Sequence, residues 1–303
     1  MFTMTIILTL KKLISVFLAS IMLMITPAKT SEPYSAKSDD VKLNFSVLSD
    51  CHIEGNNLET FRIFHKIIKG VKTTENKLDA VVFLGDNTMN GQDIESMFFY
   101  GALDRLQPCE NIFVLQGNHD VGNGEGYYEK LRDRFLGYNN SFFDAGLTKS
   151  YYYRVVNGCY MIFLASEDDT VNDAYITDEQ IEWLEDVIDE AQKTGNPIFV
   201  FNHHPIYATE GDYMKIARVL QGVDNLLYFF GHTHWALTEE WTFYEEYGIQ
   251  SINLPRCTEP VSLGYDAGIG MQVEVYEDEV VVRTRDYYDD LWVEGYERTY
   301  PII

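Results

Sequence analysis

Past residue 40 the chain alternates short apolar runs with amphipathic stretches. Leu43 to Leu48 reads as a strand, and Leu58 to Ile68 carries apolar residues at helical spacing. Leu78 to Leu84 reads as a buried strand, followed by a helix around Ile94 to Leu106 and a strand from Asn111 to Leu115. Tyr127 to Leu136 has helical spacing. Tyr151 to Val156 and Cys159 to Ala165 flank Asn157-Gly158, a two-residue hairpin signal. Thr177 caps a helix that runs to about Lys193, before Gly195. Pro197 to Phe201 and Asn225 to Phe230 are strands, and the last sixty residues read as all-β, with Met271 to Tyr276 and Val280 to Arg285 as a hairpin. The pattern predicts one α/β domain over residues 41–303: βα alternation first, an antiparallel stretch in the middle, strands at the end. No internal repeat interrupts it.

The first 40 residues differ. Residues 1–30 hold Lys11, Lys12 and Lys29 and no acid, and Leu13 to Ile25 is an apolar run of 13 residues. This predicts a secretory signal peptide over residues 1–30, cut after Ala28, then a polar linker over 31–40. The run is short for a membrane span of ~20 residues, so no stable insertion is expected after cleavage. An uncleaved N-terminal anchor is the alternative. The mature protein is expected outside the cytoplasm: secreted, periplasmic or in the cell envelope.

Charge narrows the choice of partners. The net charge is −24 over 303 residues, and loss of Lys11 and Lys12 would take it to −26. So acidic a chain lacks the basic face that nucleic acid requires. An anionic substrate would need a local source of positive charge, which bound metal ions supply. The four cysteines, Cys51, Cys109, Cys159 and Cys257, form no CxxC pair. An exported protein could hold one disulfide, but the sequence does not choose a pair; buried thiols are the simpler reading.

Chemistry gathers at the strand ends. Of seven histidines, six follow predicted strands: His52, His119, His203, His204, His232 and His234. His65 lies within a helix and reads as a packed or surface residue. In open α/β sheets, ligand-binding groups sit at the carboxyl ends of strands. The segments are Asp50-Cys51-His52, Gly85-Asp86-Asn87, Gly117-Asn118-His119-Asp120, Asn202-His203-His204-Pro205 and Gly231-His232-Thr233-His234. In extended backbone, Asp50 and His52 share a side, as do His232 and His234. Carboxylate, imidazole and amide donors without cysteine suit Mn²⁺, Fe, Zn²⁺ or Co²⁺. Each segment alone is a weak signal; five in succession are a strong one.

In this order the segments resemble the calcineurin-like metallophosphoesterases. The resemblance implies a four-layer αββα sandwich, two mixed β-sheets flanked by helices, with two divalent or trivalent metal ions at the strand ends. It implies Asp50, His52, Asp86 and His234 around one ion, and Asp86, Asn118, His203 and His232 around the other. His119 would face the substrate as general acid, and His204 would stand behind the ligands. A hydroxide bridging the ions would attack a phosphate ester in line.

One position departs from the pattern. Many members carry a carboxylate three residues after the GD aspartate, where it orients the GNH histidine; here that residue is Met89. His119 then either takes another partner, for which Asp120 is the candidate, or has a weaker acid role. The position also lacks the tyrosine of purple acid phosphatases. GNHD with GHTH looks closest to the cyclic-nucleotide and glycerophosphodiester branch, so the expected substrate is a small phosphodiester. A phosphomonoesterase or nucleotidase is the alternative, followed by a nuclease or a non-catalytic scaffold on the same fold. Trp235, Tyr127 and Tyr128 are candidates for ring stacking, though such aromatics more often fill cores. Arg256 could clamp phosphate or form a structural ion pair, and Tyr207 to Tyr213 could form a rim loop.

Overall fold

The computed structural model describes residues 2–25, 36–72, 78–122, 127–209, 214–235, 237–258 and 267–303. Helix α1 (Phe2–Ile25) precedes β1 (Leu43–Leu48), α2 (Leu58–Lys72), β2 (Ala80–Phe83), α3 (Asp93–Leu106), β3 (Asn111–Val114), the single turn α4 (Asn118–Val121) and α5 (Tyr128–Phe142). Then come β4 (Tyr152–Val156), β5 (Cys159–Phe163), α6 (Asp178–Gln192), β6 (Ile198–Phe201), α7 (Met214–Leu220) and β7 (Leu226–Phe230). The chain ends with α8 (Glu239–Thr242), β8 (Phe243–Glu246), β9 (Ile249–Asn253), β10 (Ile269–Val275), β11 (Glu279–Asp286) and β12 (Leu291–Pro301).

The strands form two mixed sheets of six, ordered β12-β11-β10-β1-β2-β3 and β4-β5-β6-β7-β9-β8. In the first, β1, β2 and β3 run parallel; in the second, β5, β6, β7 and β9 do. Side chains alternate across the second sheet as a period of two requires. Phe199, Phe201, Leu227 and Phe229 face the first sheet, whereas Ile198, Val200, Leu226 and Tyr228 pack with α6 and α7. Between the sheets the Phe45 ring meets those of Phe199, Phe201 and Phe229 at 4.9, 6.1 and 6.4 Å. On the far side of the first sheet, Phe83 packs with Phe64 of α2 and Phe99 of α3. Four layers result, helix, sheet, sheet and helix, as the sequence resemblance implies.

Local chemistry explains most boundaries. Asn157 and Gly158 both take positive φ, 48° and 85°, as a tight hairpin turn between β4 and β5 demands. The Thr177 side chain accepts from the Gln180 amide and caps α6. Helix α5 runs past the expected end at Leu136, straight through Gly137. There Tyr138 and Phe142 pack with tilted rings against Tyr100 at 5.1 and 5.8 Å, which outweighs the ~1 kcal/mol helix penalty of one glycine.

Helix α1 packs against α3 and α5. Lys11 pairs with Asp93 at 2.6 Å and Lys12 with Asp104 at 3.3 Å. At the crossing, Gly101 leaves room for Ser15; a Cβ there would sit 2.8 Å from the Ser15 backbone. No described helix is long and apolar enough to cross a membrane. The junction at Ala28 and the start of the linker lie outside the described residues.

His65 is fully buried in α2, and neither ring nitrogen has a hydrogen-bond partner in the described structure. Burial, with Lys69 and Arg105 nearby, pushes its pKa down to about 4. The unfolded chain therefore takes up this proton first as pH falls. The stability contributed by the neutral ring is complete above the unfolded value of ~6.5 and is lost on the way to pH 4, by up to about 3 kcal/mol. In urea unfolding at pH 7.5 and 4.5, His65→Leu should lose about 2–3 kcal/mol less than the parent between the two pH values. Equal losses would remove this role.

Candidate metal centre

Each candidate site residue follows a parallel strand. Asp50 and His52 leave β1, Asp86 leaves β2, Asn118 and His119 open α4 after β3, His203 follows β6, and His232 and His234 follow β7. The first three strands belong to one sheet and the last two to the other, so the site straddles the sandwich. Main-chain bonds stitch the loops together. His52 N–H donates to Asp86 O at 2.8 Å, Asp50 N–H to Gly85 O at 3.1 Å, and Gly231 N–H to His203 O at 3.0 Å. Between the sheets, His232 N–H donates to Asp50 Oδ2 at 3.1 Å.

These loops demand unusual backbone. Asp50, His52, Asp86, His232 and His234 all have φ between 42° and 63°, the left-handed region that side chains avoid. Gly117 and Gly231 serve a different need, close approach. A Cβ on Gly117 would collide with the Asp86 backbone and carboxylate, and one on Gly231 with Ser49 and Asp50.

The ligand atoms form two clusters that share one carboxylate. In the first, His234 Nε2 lies 3.0 Å from Asp50 Oδ1 and 3.1 Å from His52 Nε2, and His52 Nε2 lies 3.5 Å from Asp86 Oδ2. In the second, His203 Nε2 lies 3.3 Å from Asp86 Oδ2 and 3.1 Å from Asn118 Oδ1, which is 3.0 Å from His232 Nδ1. Asp86 Oδ2 faces both clusters, while Oδ1 accepts from the His119 amide at 2.8 Å. In His203 and His232 the other ring nitrogen fixes orientation. His203 Nδ1–H donates to Leu84 O at 2.9 Å, and His232 Nε2–H to Asn172 O at 3.1 Å. Such bonds leave the other nitrogen as a lone pair aimed at an ion.

The donor set fits two cations. Ligand atoms about 2.1 Å from one ion stand roughly 3.0–3.4 Å apart, close to the spacings here. Asp50 and Asp86 are buried, 0% and 1% exposed, and no lysine or arginine pairs with either among the described residues. Burial opposes their ionisation, but His234 and His52 beside Asp50, and His203 and His52 beside Asp86, hold both carboxyls well below the ordinary range. Burial also opposes charge on His203, yet Asp86 beside it pushes that ring up to about 9. The pocket draws positive charge onto itself, and metal ions answer that demand.

The sequence profile of the calcineurin-like phosphoesterase family matches residues 43–236, more than half of the chain. The chain belongs to this family. It is therefore a metal-dependent phosphoester hydrolase. Among solved structures, a dimetal phosphatase from Danio rerio superposes with a TM-score of 0.62 at 14% identity, covering 87% of this chain and all of that one. A purple acid phosphatase from yellow lupin (Lupinus luteus) gives 0.58 at 14% identity, covering 85% of this chain and 53% of that one. At these identities the likeness is one of fold. No curated protein matched the sequence.

In this phosphoesterase the partner of His119 is neither a carboxylate nor Asp120. Its Nδ1–H donates to the backbone carbonyl of Met89 at 2.7 Å, so the variable position supplies main chain in place of a side chain. Nε2 then faces the centre, 4.0 Å from Asp86 Oδ2. The side chains of His119 and His234 are 27% and 38% exposed, which marks the open face. Asp120 does other work. Its carboxylate accepts from Gly117 N at 2.9 Å, Asn87 N and Nδ2 at 3.1 Å each, and Thr88 N and Oγ1 at 2.9 and 2.7 Å. It thereby joins the loop of Asp86 to the loop of Asn118. The catalytic role expected of Asp120 thus gives way to a positioning one.

His204 is buried beneath the ligands, its ring 4.3 Å from that of His232. Trp235 pairs edge-on with exposed Trp241 at 4.9 Å, beside His234. Tyr128 donates its hydroxyl to Ser166 O at 3.1 Å, a structural contact, and Tyr127 is exposed. Arg256 is half-buried. Of the expected rim loop, residues 210–213 lie outside the described residues.

Two outcomes follow. Asp120→Ala strands three main-chain amides and should cost about 3 kcal/mol or more in urea unfolding; a loss below about 1 kcal/mol would contradict the joining role. Met89→Ala keeps the carbonyl, so turnover of an alkyl phosphate ester should stay within about threefold of the parent, whereas His119→Ala should lose about 100-fold or more. Equal losses would mean that the thioether, not the carbonyl, serves His119.

Proposed function

We propose that this phosphoesterase is exported and hydrolyses small phosphodiesters. The observation that carries the reading is the pair of clusters sharing Asp86 Oδ2, with His119 Nε2 on the open side. Two bound cations supply Lewis acidity and an activated water for attack on phosphorus. Asp50, His52, Asp86 and His234 would hold one ion, and Asp86, Asn118, His203 and His232 the other. The ligand loops hold these donors in register. His119, with Nδ1–H fixed on Met89 O, offers its Nε2 proton to the departing alkoxide.

The phosphodiester preference rests on the resemblance of GNHD and GHTH. A net charge of −24 argues against nucleic acid as substrate. Export rests on Lys11 and Lys12 ahead of the apolar run from Leu13 to Ile25.

The direct test compares bis-p-nitrophenyl phosphate with p-nitrophenyl phosphate on Mn²⁺-loaded protein, beside His232→Ala. Faster turnover of the diester, abolished in the variant, is expected. Faster turnover of the monoester would replace the reading with a phosphomonoesterase. His119→Ala should cost more on an alkyl ester than on p-nitrophenolate, which leaves without a proton; equal losses would remove the acid role. Intact mass of protein expressed with its native N-terminus in an exporting host should place the first residue at Lys29. A retained Met1 would favour the anchor.

A further inference from the structure

Two cysteines that the reaction does not use meet directly behind the metal ligands. Cys51 sits between Asp50 and His52, and its sulfur lies 3.4 Å from that of Cys257. Both side chains are fully buried. Their backbones are already bound together: Cys257 N–H donates to Ser49 O at 3.1 Å, and Thr258 Oγ1–H to Cys51 O at 2.7 Å. Gly268 N–H donates in turn to Cys257 O at 2.6 Å. Cys51 follows β1 in one sheet, and Cys257 follows β9 in the other, 206 positions away.

We propose that Cys51 and Cys257 are a disulfide-forming pair whose crosslink locks the ligand loop of Asp50 and His52 to the opposite sheet. The sulfurs are already in contact at 3.4 Å, and the flanking hydrogen bonds hold their two segments together, so bridging asks the sulfurs to close from contact to bond length. The oxidant is a thiol–disulfide exchange partner, as export compartments provide. One cysteine thiolate attacks a sulfur of the external disulfide and releases a thiolate. The second cysteine then attacks the mixed disulfide and releases the other. Two protons leave the cysteines, and two electrons reduce the external disulfide to two thiols. Because both sulfurs are buried, the exchange belongs to folding rather than to the finished protein.

The lock has a reason in the backbone. Asp50 and His52 hold φ of 55° and 42°, and a crosslink at the residue between them resists relaxation of both. The proposal rests on the metal-centre reading for its purpose, but the crosslink itself is tested without any activity.

The full chain is refolded from urea in a mixture of reduced and oxidised glutathione, then alkylated under denaturing conditions and mapped by peptide mass spectrometry. A Cys51–Cys257 peptide is expected, with Cys109 and Cys159 alkylated. Four alkylated cysteines, or a crosslink joining another pair, would overturn the assignment. Loss of Mn²⁺ to a chelator is then followed in oxidised and reduced protein. Release about tenfold slower from the oxidised form is expected; equal rates would overturn the locking role even if the crosslink forms.

Discussion

A buried carboxylate facing two sets of donors is a constraint that the rest of the molecule answers. Asp86 is 1% exposed, and its Oδ2 lies within 3.5 Å of His52 Nε2 and 3.3 Å of His203 Nε2. Charge held out of water must be matched locally. Here the match comes from imidazoles and from the cations they are arranged to hold. The two sheets meet at this point: Asp86 belongs to a loop of one sheet, and His203 to a loop of the other. Holding both in register is what the sandwich core, with Phe45 set among Phe199, Phe201 and Phe229, accomplishes.

That arrangement costs stability at the site. Five ligand residues sit at positive φ, and such residues cost of order 1–3 kcal/mol each. They persist because the loops are over-determined. Asp50 and His52 bond to the Gly85 and Asp86 carbonyls, Asp120 joins Asn87, Thr88 and Gly117, and the absence of a Cβ at Gly117 and Gly231 lets the loops touch. Strain and charge are concentrated at the candidate metal centre, and the surrounding fold carries both.

Much of this was legible in the sequence, for a physical reason. Side chains able to hold a metal are of a few types, and in this sheet architecture they gather at strand ends, so the candidates Asp50, His52, Asp86, Asn118, His203, His232 and His234 leave a readable trail. Alternation of apolar and polar residues likewise exposed most strands and helices. What escaped reading was main chain and tertiary proximity. The carbonyls that orient His119, His203 and His232 belong to Met89, Leu84 and Asn172, and a carbonyl has no residue type to betray it. Adjacency in sequence makes Asp120 the expected partner of His119, whereas the α4 turn sends its carboxylate to the amides of Asn87 and Thr88 in another loop and of Gly117 in its own. The continuation of α5 through Gly137 and the meeting of Cys51 with Cys257 depend on packing between segments far apart in the chain.

The central claim is that one carboxylate serves two metal positions. It is tested most directly by metal content per chain after Mn²⁺ loading and desalting, for the parent, Asp86→Asn, His234→Ala and His232→Ala. Two ions are predicted for the parent, about one for each histidine variant, and fewer than one for Asp86→Asn. An Asp86→Asn chain that retains one ion as firmly as the histidine variants would show that the positions are independent, and would contradict the account.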